Sequence, residues 1–156
     1  MDKRSALAAV HAALAAELAA VERNASQAVA EATGSESKSE GKYDTRATEA
    51  SYLARGQAER VVALRRVVGW IGGQGGEPCE RVALGALFSV DDDGEERWLL
   101  ILPDGGGSRV QVGEQVVQLV SERAPLVRAL LGSSVGDAAE VEAGGRVRSV
   151  EVLEVL

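Results

Sequence analysis

Four glycines in five residues, Gly72-Gly73-Gln74-Gly75-Gly76, followed by Glu77-Pro78, cut this 156-residue chain near its middle. Such a run cannot continue a helix, because each glycine adds backbone freedom and Pro78 lacks the N–H that a helical turn donates. The two sides of the cut obey different periodicities. Upstream, apolar residues recur at three, four and seven residues; downstream, β-branched residues alternate or cluster between turn signals. The expected fold class is therefore α+β. An N-terminal antiparallel coiled-coil hairpin fills 1–74 with its tip at 34–48, a glycine-rich hinge covers 72–78, and a small antiparallel β domain with one short helix fills 79–156.

The first helix is expected from Asp2 to about Ala32, with Leu7, Leu14, Leu18 and Val21 on one stripe and no Gly or Pro to interrupt it. Asp2 or Ser5 is its candidate N-cap. Some thirty residues at about 1.5 Å each make a rod of about 45 Å. The pattern stops at Thr33-Gly34-Ser35 and returns from Tyr43 or Asp44, where Ala47, Ala50, Leu53, Ala54, Gln57, Val61, Leu64, Val68 and Ile71 share a face. Two stripes of similar length suit an antiparallel pair that leaves neither exposed. The intervening stretch, GSESKSEGKYDTRAT from Gly34 to Thr48, then forms the tip of the hairpin, with Glu36, Lys38, Glu40, Lys42, Asp44 and Arg46 alternating in sign. Arg55, Arg60, Arg65 and Arg66 on the second helix are expected to be solvated and paired with glutamates of the first. His11 stands alone at the edge of its stripe and reads as a packed or solvated side chain. Trp70 is expected to pack where the rod meets the second domain.

Charge divides the chain in the same place. Residues 1–76 carry 10 basic and 9 acidic side chains, whereas 77–156 carry 7 and 15, for a formal total of −7. An acidic chain cannot displace the counterions of duplex nucleic acid, so any nucleic-acid contact must be local. The single cysteine, Cys79, excludes an internal disulfide and a cysteine-rich zinc site. A reducing cytoplasm is the expected location. Glu17 and Glu22 break the alanine-rich N-terminal stretch, which reads as neither a signal peptide nor a membrane span.

Strands are expected over Arg81–Val90, Glu96–Leu102, Arg109–Val112 and Arg146–Leu156, and a further Glu/Val alternation follows Gly136. Turn signals separate several of these runs: Asp91-Asp92-Asp93-Gly94, Asp104-Gly105-Gly106-Gly107 and Gly144-Gly145. The triple glycine is not followed by Gly-Lys-Ser/Thr or a helix, and so reads as a hairpin loop rather than a phosphate cradle. The triple aspartate lacks the later acceptors of a calcium loop and reads as a solvated turn.

Residues 124–132, Ala124-Pro125-Leu126-Val127-Arg128-Ala129-Leu130-Leu131-Gly132, describe a proline-started short helix stopped by glycine. With Val135-Gly136-Asp137, the Glu/Val alternation, Gly144-Gly145 and the closing Glu151-Val152-Leu153-Glu154-Val155, this order closely resembles the C-terminal domain of the Gre family of bacterial transcript-cleavage factors. The resemblance is strongest over Ser121–Leu156 and weaker over 80–120. It implies an FKBP-like C-terminal domain. It also implies a coiled coil that enters the secondary channel of bacterial core RNA polymerase, reaching the RNA 3′ end. A Gre-like chain is not itself an enzyme; it acts through the polymerase active site, as a monomer and without a membrane.

Carried over residue by residue, the resemblance makes Asp44 and Glu40, with Glu49, the candidate catalytic carboxylates. Asp44 and Glu40 would be ligands to a Mg²⁺ shared with the polymerase, the chain having no cofactor of its own. Lys38, Lys42 and Arg46 would contact RNA, and Pro125 with Leu126 would dock on the polymerase. The tip departs from the family pattern. The family places Glu three residues beyond its Asp, whereas this chain reads Gly41-Lys42-Tyr43-Asp44-Thr45-Arg46-Ala47-Thr48-Glu49, with Ala47 in that place. A channel-occupying regulator or inhibitor without cleavage activity is therefore the alternative. An FKBP-type prolyl isomerase or chaperone is a third reading, for which residues 77–156 offer only Phe88 and Trp98 as aromatics.

Overall fold

The computed structural model describes residues 1–35 and 45–156; the side chains of 31–35, 45–51, 54 and 143 are outside the description. Helix α1 spans Lys3–Ser35 and α2 spans Thr45–Gly72. The cap on α1 is Asp2, whose Oδ2 accepts from Ser5 N at 2.8 Å while its carbonyl accepts from Ala6 N at 3.0 Å. At about 1.5 Å per residue α1 is about 50 Å long. The stretch Lys3–Ala30 is long and apolar enough to cross a membrane by length and composition alone. Its apolar stripe packs elsewhere: Ala6, Leu7, Val10 and Leu14 are buried against α2 and the sheet.

The arginines of α2 largely meet the expectation. Arg60 Nη2 lies 2.6 Å from Glu17 Oε1, and Arg65 donates through Nε and Nη2 to Glu22 Oε1 at 2.9 and 2.7 Å. Both pairs cross from α2 to α1. Arg55 instead pairs with Glu59 one turn along its own helix.

Downstream lie β1 (Leu87–Asp92), β2 (Glu95–Leu102), β3 (Arg109–Val112), β4 (Gln115–Ser121), α3 (Pro125–Leu130), β5 (Ala138–Ala143) and β6 (Arg146–Val155). They form one six-stranded sheet in the order β3-β4-β2-β1-β6-β5. The sheet departs from the antiparallel expectation at one pair: β2 and β4 run parallel, Trp98 beside Val117 and Leu102 beside Ser121. Parallel neighbours need a crossover of about a dozen residues or more. Residues 103–114 supply it, carrying β3, which then folds back antiparallel on β4. Strand β4 itself was absent from the sequence expectation. The run expected from Arg81 enters the sheet only at Leu87; residues 81–86 curl beneath it, Val82 N donating to Ser133 O at 2.8 Å.

The β1–β2 turn is Asp93-Gly94, both at positive φ (58° and 85°), as a two-residue turn between right-twisting strands requires. Gly106, at φ 116°, has the closest fit in the β2–β3 loop. A Cβ there would come within 3.1 Å of Ser121 N and 3.2 Å of Val120 Cα.

Alternation sends the sheet's side chains to two cores. Leu87, Trp98, Leu100, Leu102, Val110, Val117 and Leu119 face the rod and join Ala6, Leu7, Val10, Leu14, Val67 and Ile71. Phe88, Val90, Leu99, Ile101, Val141, Val150 and Val152 face the other way and join Val127 and Leu130 of α3. Side chains this size each contribute about 1.5–3 kcal/mol on full burial.

The first of these cores changes the meaning of the glycine segment. It interrupts secondary structure without separating two independently packed bodies, because the base of the rod and the sheet share one apolar cluster. Polar contacts hold it as well. Lys3 Nζ donates to Glu77 O at 2.7 Å and lies 3.1 Å from Cys79 Sγ, and Arg4 Nη2 reaches Gly75 O at 3.4 Å. Trp70 packs at this junction, as expected.

Candidate functional site

The sequence points to two regions, the hairpin tip and the 124–137 segment. Of the tip residues, Glu36, Lys38, Glu40, Lys42 and Asp44 are outside the described residues, and the side chains of Arg46 and Glu49 are outside them too. What the structure gives is the rod that carries them. Two ion pairs tie α2 to α1, Arg60–Glu17 beside the sheet and Arg65–Glu22 farther along α1. Exposed pairs of this kind are worth only about 0.2–1 kcal/mol each, so their contribution is to fix the register of the two helices more than to hold them together.

The second region, 124–137, is fastened to the sheet through its backbone. Arg128 N donates to Ala124 O at 2.9 Å in the first turn of α3, and Gly132 N donates to Val82 O at 2.8 Å. Arg81 Nη1 donates to Gly132 O at 3.0 Å, and Ser134 N to Asp137 Oδ2 at 2.8 Å. Pro125 occupies the first helical position, where its missing N–H leaves nothing unsatisfied, and it is exposed. Leu126 is half-buried against the α3-side core. The structure thus separates the two candidate docking residues: Pro125 presents its ring to solvent, and Leu126 contributes mostly to packing. Leu131 and Val135 follow on the outside, 53% and 60% exposed. They give this corner an apolar character that the sequence reading did not assign.

One polar constellation departs from the sequence expectation. Asp92 was expected in a solvated turn, yet its side chain is 1% exposed. It is bound by Arg97 Nη1 on one side, and on the other Arg148 Nη1 lies 2.9 Å from Oδ2 and 2.8 Å from Oδ1. Arg97 Nη2 also donates to Gln118 Oε1 at 2.6 Å. The row Gln118–Arg97–Asp92–Arg148 therefore spans four adjacent strands, β4-β2-β1-β6, at the end of the α3-side core. The signal was available in part: Phe88, Val90 and Asp92 share one face of β1 by alternation, so Asp92 had to turn inward wherever that face was covered. Its partners required the register.

A cleft of about 230 Å³ opens where the rod meets the sheet, walled by Leu14, Leu64, Val67, Leu102 and Leu119 and rimmed by the Arg60–Glu17 pair. It contains none of the candidate residues. Phe88 and Trp98, the aromatics of the C-terminal half, are 0% and 5% exposed. Both are spent on the two cores rather than lining a pocket for proline, which removes the support for a prolyl isomerase. Among the described residues no group of three or more His, Cys, Asp or Glu is placed to hold a metal ion.

The family model for the C-terminal domain of the transcription elongation factors GreA/GreB matches residues 77–156. Solved structures similar to the chain include the GreA factor homolog 1 (Gfh1) protein of Thermus thermophilus, 16% identical, with 94% of each chain covered and a TM-score of 0.38. Gfh1 of Thermus aquaticus is 18% identical, covering 91% of this chain and 90% of its own, at 0.37. A GreA/GreB factor from Nitrosomonas europaea is 23% identical, covering 60% of this chain and 78% of its own, also at 0.37. Among curated proteins none matches. The family match covers the whole sheet and α3, including every residue of the 124–137 segment on which the sequence resemblance was built. The chain belongs to the GreA/GreB family of transcription elongation factors.

Proposed function

We propose that this chain is an elongation factor of bacterial RNA polymerase that inserts its helical hairpin into the secondary channel and modulates the active site from the tip. The observation that carries this reading is the family match over residues 77–156. The hairpin rod supports it, since a rod of about 50 Å whose two helices are joined by a charged sequence, 34–48, is what reaching a buried active site from outside requires. In this reading the chain is an accessory factor rather than an enzyme, it works in the cytoplasm as a monomer, and its partners are the core polymerase and the RNA 3′ end.

At the tip, Asp44 and Glu40, with Glu49 in reserve, lend oxygens to a Mg²⁺ that the polymerase and the RNA phosphates also hold. Hard carboxylate oxygens suit that ion, which prefers a few carboxylates plus waters and phosphates to a complete protein cage. When bound there, the ion supplies charge stabilisation and a polarised water for hydrolysis of backtracked RNA. Lys38, Lys42 and Arg46 lower the local negative charge and help the tip approach RNA phosphates. Pro125 anchors the sheet domain at the rim of the channel, with Leu126 holding α3 in place beneath it.

A second reading keeps the insertion and drops the cleavage. Ala47 stands where the family pattern has a second carboxylate, and with one oxygen donor fewer the tip would occupy the channel and slow synthesis. Stalled, backtracked complexes separate the two. If the wild type shortens the RNA from its 3′ end while Asp44→Asn and Glu40→Gln bind equally but do not, the carboxylate role stands. If the wild type binds and no RNA is cleaved, the chain is a channel-occupying regulator. Failure to bind core polymerase at all would remove both readings.

A further inference from the structure

The two faces of the sheet sort their charges. Packing against the rod identifies the side that bears Leu87, Trp98 and Leu100, and packing against α3 identifies the side that bears Val90, Leu99, Val141 and Val150. Alternation then places Asp91, Glu96, Glu140, Glu142 and Glu151 on the rod-facing side. Glu154 joins them, because the register shift between Ser89 and Val90 sets it opposite Ser89. The four strand-borne arginines, Arg97, Arg109, Arg146 and Arg148, fall on the other side by the same alternation. The rod-facing side is covered over β3, β4, β2 and the Leu87–Ser89 part of β1, and beyond that it opens: Asp91 is half-buried, Glu96, Glu140, Glu142 and Glu151 are exposed, and so is Val147, at 64%.

Register makes the crowding specific. Glu96 pairs with Asp91 across β2 and β1, and Asp91 pairs with Glu151 across β1 and β6, so three carboxylates stand side by side in one row. Like charges directly opposite on a sheet are destabilising. Among the described residues none of the six carboxylates has an ion-pair partner, Asp91 Oδ1 accepting only from the turn's Gly94 N at 2.7 Å, whereas the carboxylate of Asp92, on the opposite side, has two arginines. One row inward on the same face, Ser89 is 1% exposed and its hydroxyl has no hydrogen-bond partner. The carboxylates are not gathered into a metal site.

We propose that this open half-face, on β1, β6 and β5 with the end of β2, is a docking surface for a Lys/Arg-rich segment of a partner protein. The charge complementarity selects the partner: a basic segment relieves the repulsion in the Glu96–Asp91–Glu151 row and meets the Glu140/Glu142 edge. Val147, set among these carboxylates, gives the segment an apolar contact that a bare counterion would not use. The inference rests on the sheet and not on the tip, so it stands or falls separately from the cleavage reading.

The experiment uses the full chain and a short fluorescein-labelled peptide alternating Lys with Val, against a Glu-for-Lys counterpart. Anisotropy gives affinity, and backbone amide shifts give location. The wild type should bind the Lys peptide and not the Glu peptide, with shifts confined to 91–96, 138–142 and 147–154. Neutralising the row with Asp91→Asn, Glu96→Gln and Glu151→Gln should weaken binding about tenfold, each exposed charge contributing modestly. The same triple variant should melt at a higher temperature, which separates lost binding from lost folding. A control with the same charge change elsewhere, Glu77→Gln, Glu80→Gln and Glu114→Gln, should bind within about twofold of wild type. Equal weakening by both triples would reduce the effect to general acidity and overturn the proposal. Shifts of the same residues on adding Mg²⁺ alone, or self-association of the chain through this face, would replace the protein segment with another occupant and overturn it too.

Discussion

Replacing Asp92 with Asn keeps the shape of the side chain and removes its charge from between Arg97 and Arg148. The loss can be worked from the geometry. Asp92 is 1% exposed while the arginine side chains are 28% and 30% exposed, so the pair is buried at one end and reaches water at the other. Breaking a fully buried pair costs about 3–5 kcal/mol, because the remaining charge is left without compensation. Here solvent reaches the guanidinium groups, so the upper part of that range does not apply, and about 2–3 kcal/mol is expected. For a chain of this size that corresponds to a fall in Tm of about 4–12 °C. Urea unfolding followed by tryptophan fluorescence in a Trp70→Phe background, which leaves Trp98 as the emitter, reads the change, since Trp98 is buried in the neighbouring core. A double-mutant cycle with Arg148→Gln should show coupling, moderated because Arg97 still pairs with Asp92 when Arg148 is removed. A loss below about 0.5 kcal/mol, or additivity in the cycle, would refute the claim that this row braces four strands.

Other outcomes follow from particular contacts. Ile71→Ala removes a side chain that is 2% exposed in the core shared by rod and sheet. It should cost about 2–5 kcal/mol and lower the helix and Trp98 transitions together; a shift in the helix signal alone would contradict the shared core. Gly106→Ala puts a Cβ against Val120 and Ser121 at a φ of 116° and should destabilise by about 1–3 kcal/mol, measurable by the urea midpoint. Hydrogen bonds from the Ser5 side chain and the Ser5 N–H hold the Asp2 carboxyl below its ordinary value. Because the folded pKa is depressed, the cap's contribution is present above the ordinary carboxylate range and is lost as pH falls through the folded value. The Ser5 amide shift should follow that titration and lose it in Asp2→Asn; a midpoint at or above the ordinary value would count against the cap.

The sequence showed the large division well because its causes are local. Helical periodicity in Leu7, Leu14 and Val61, the glycines at 72–76 and the proline at 125 each act within a few residues, and the elements formed where those signals stood. What escaped depended on register and contact between distant segments. Gln115–Ser121 carries no strong turn signal ahead of it beyond Gly113, and only its partnership with β2 shows it to be an interior strand. Asp92 sits in a run that looks like a solvated turn, and only the positions of Arg97 and Arg148 on neighbouring strands explain its burial. The glycine segment looked like a swivel because composition reports freedom of the chain, not the Lys3 contacts that hold it. The candidate carboxylates Asp44 and Glu40 remain legible from the sequence alone, as they lie outside the described residues.

Insertion of the rod would bring its tip to the polymerase active site, where a photo-crosslink from the tip detects it. Asp44→Cys in a Cys79→Ser background, labelled with a photoreactive maleimide and irradiated in a backtracked elongation complex, should form adducts with polymerase segments lining the active site and with the RNA 3′ end. The same label placed by Glu114→Cys, in the β3–β4 turn, should form neither. Adducts confined to the outer surface of the polymerase, or equal adducts from both positions, would contradict insertion of the rod.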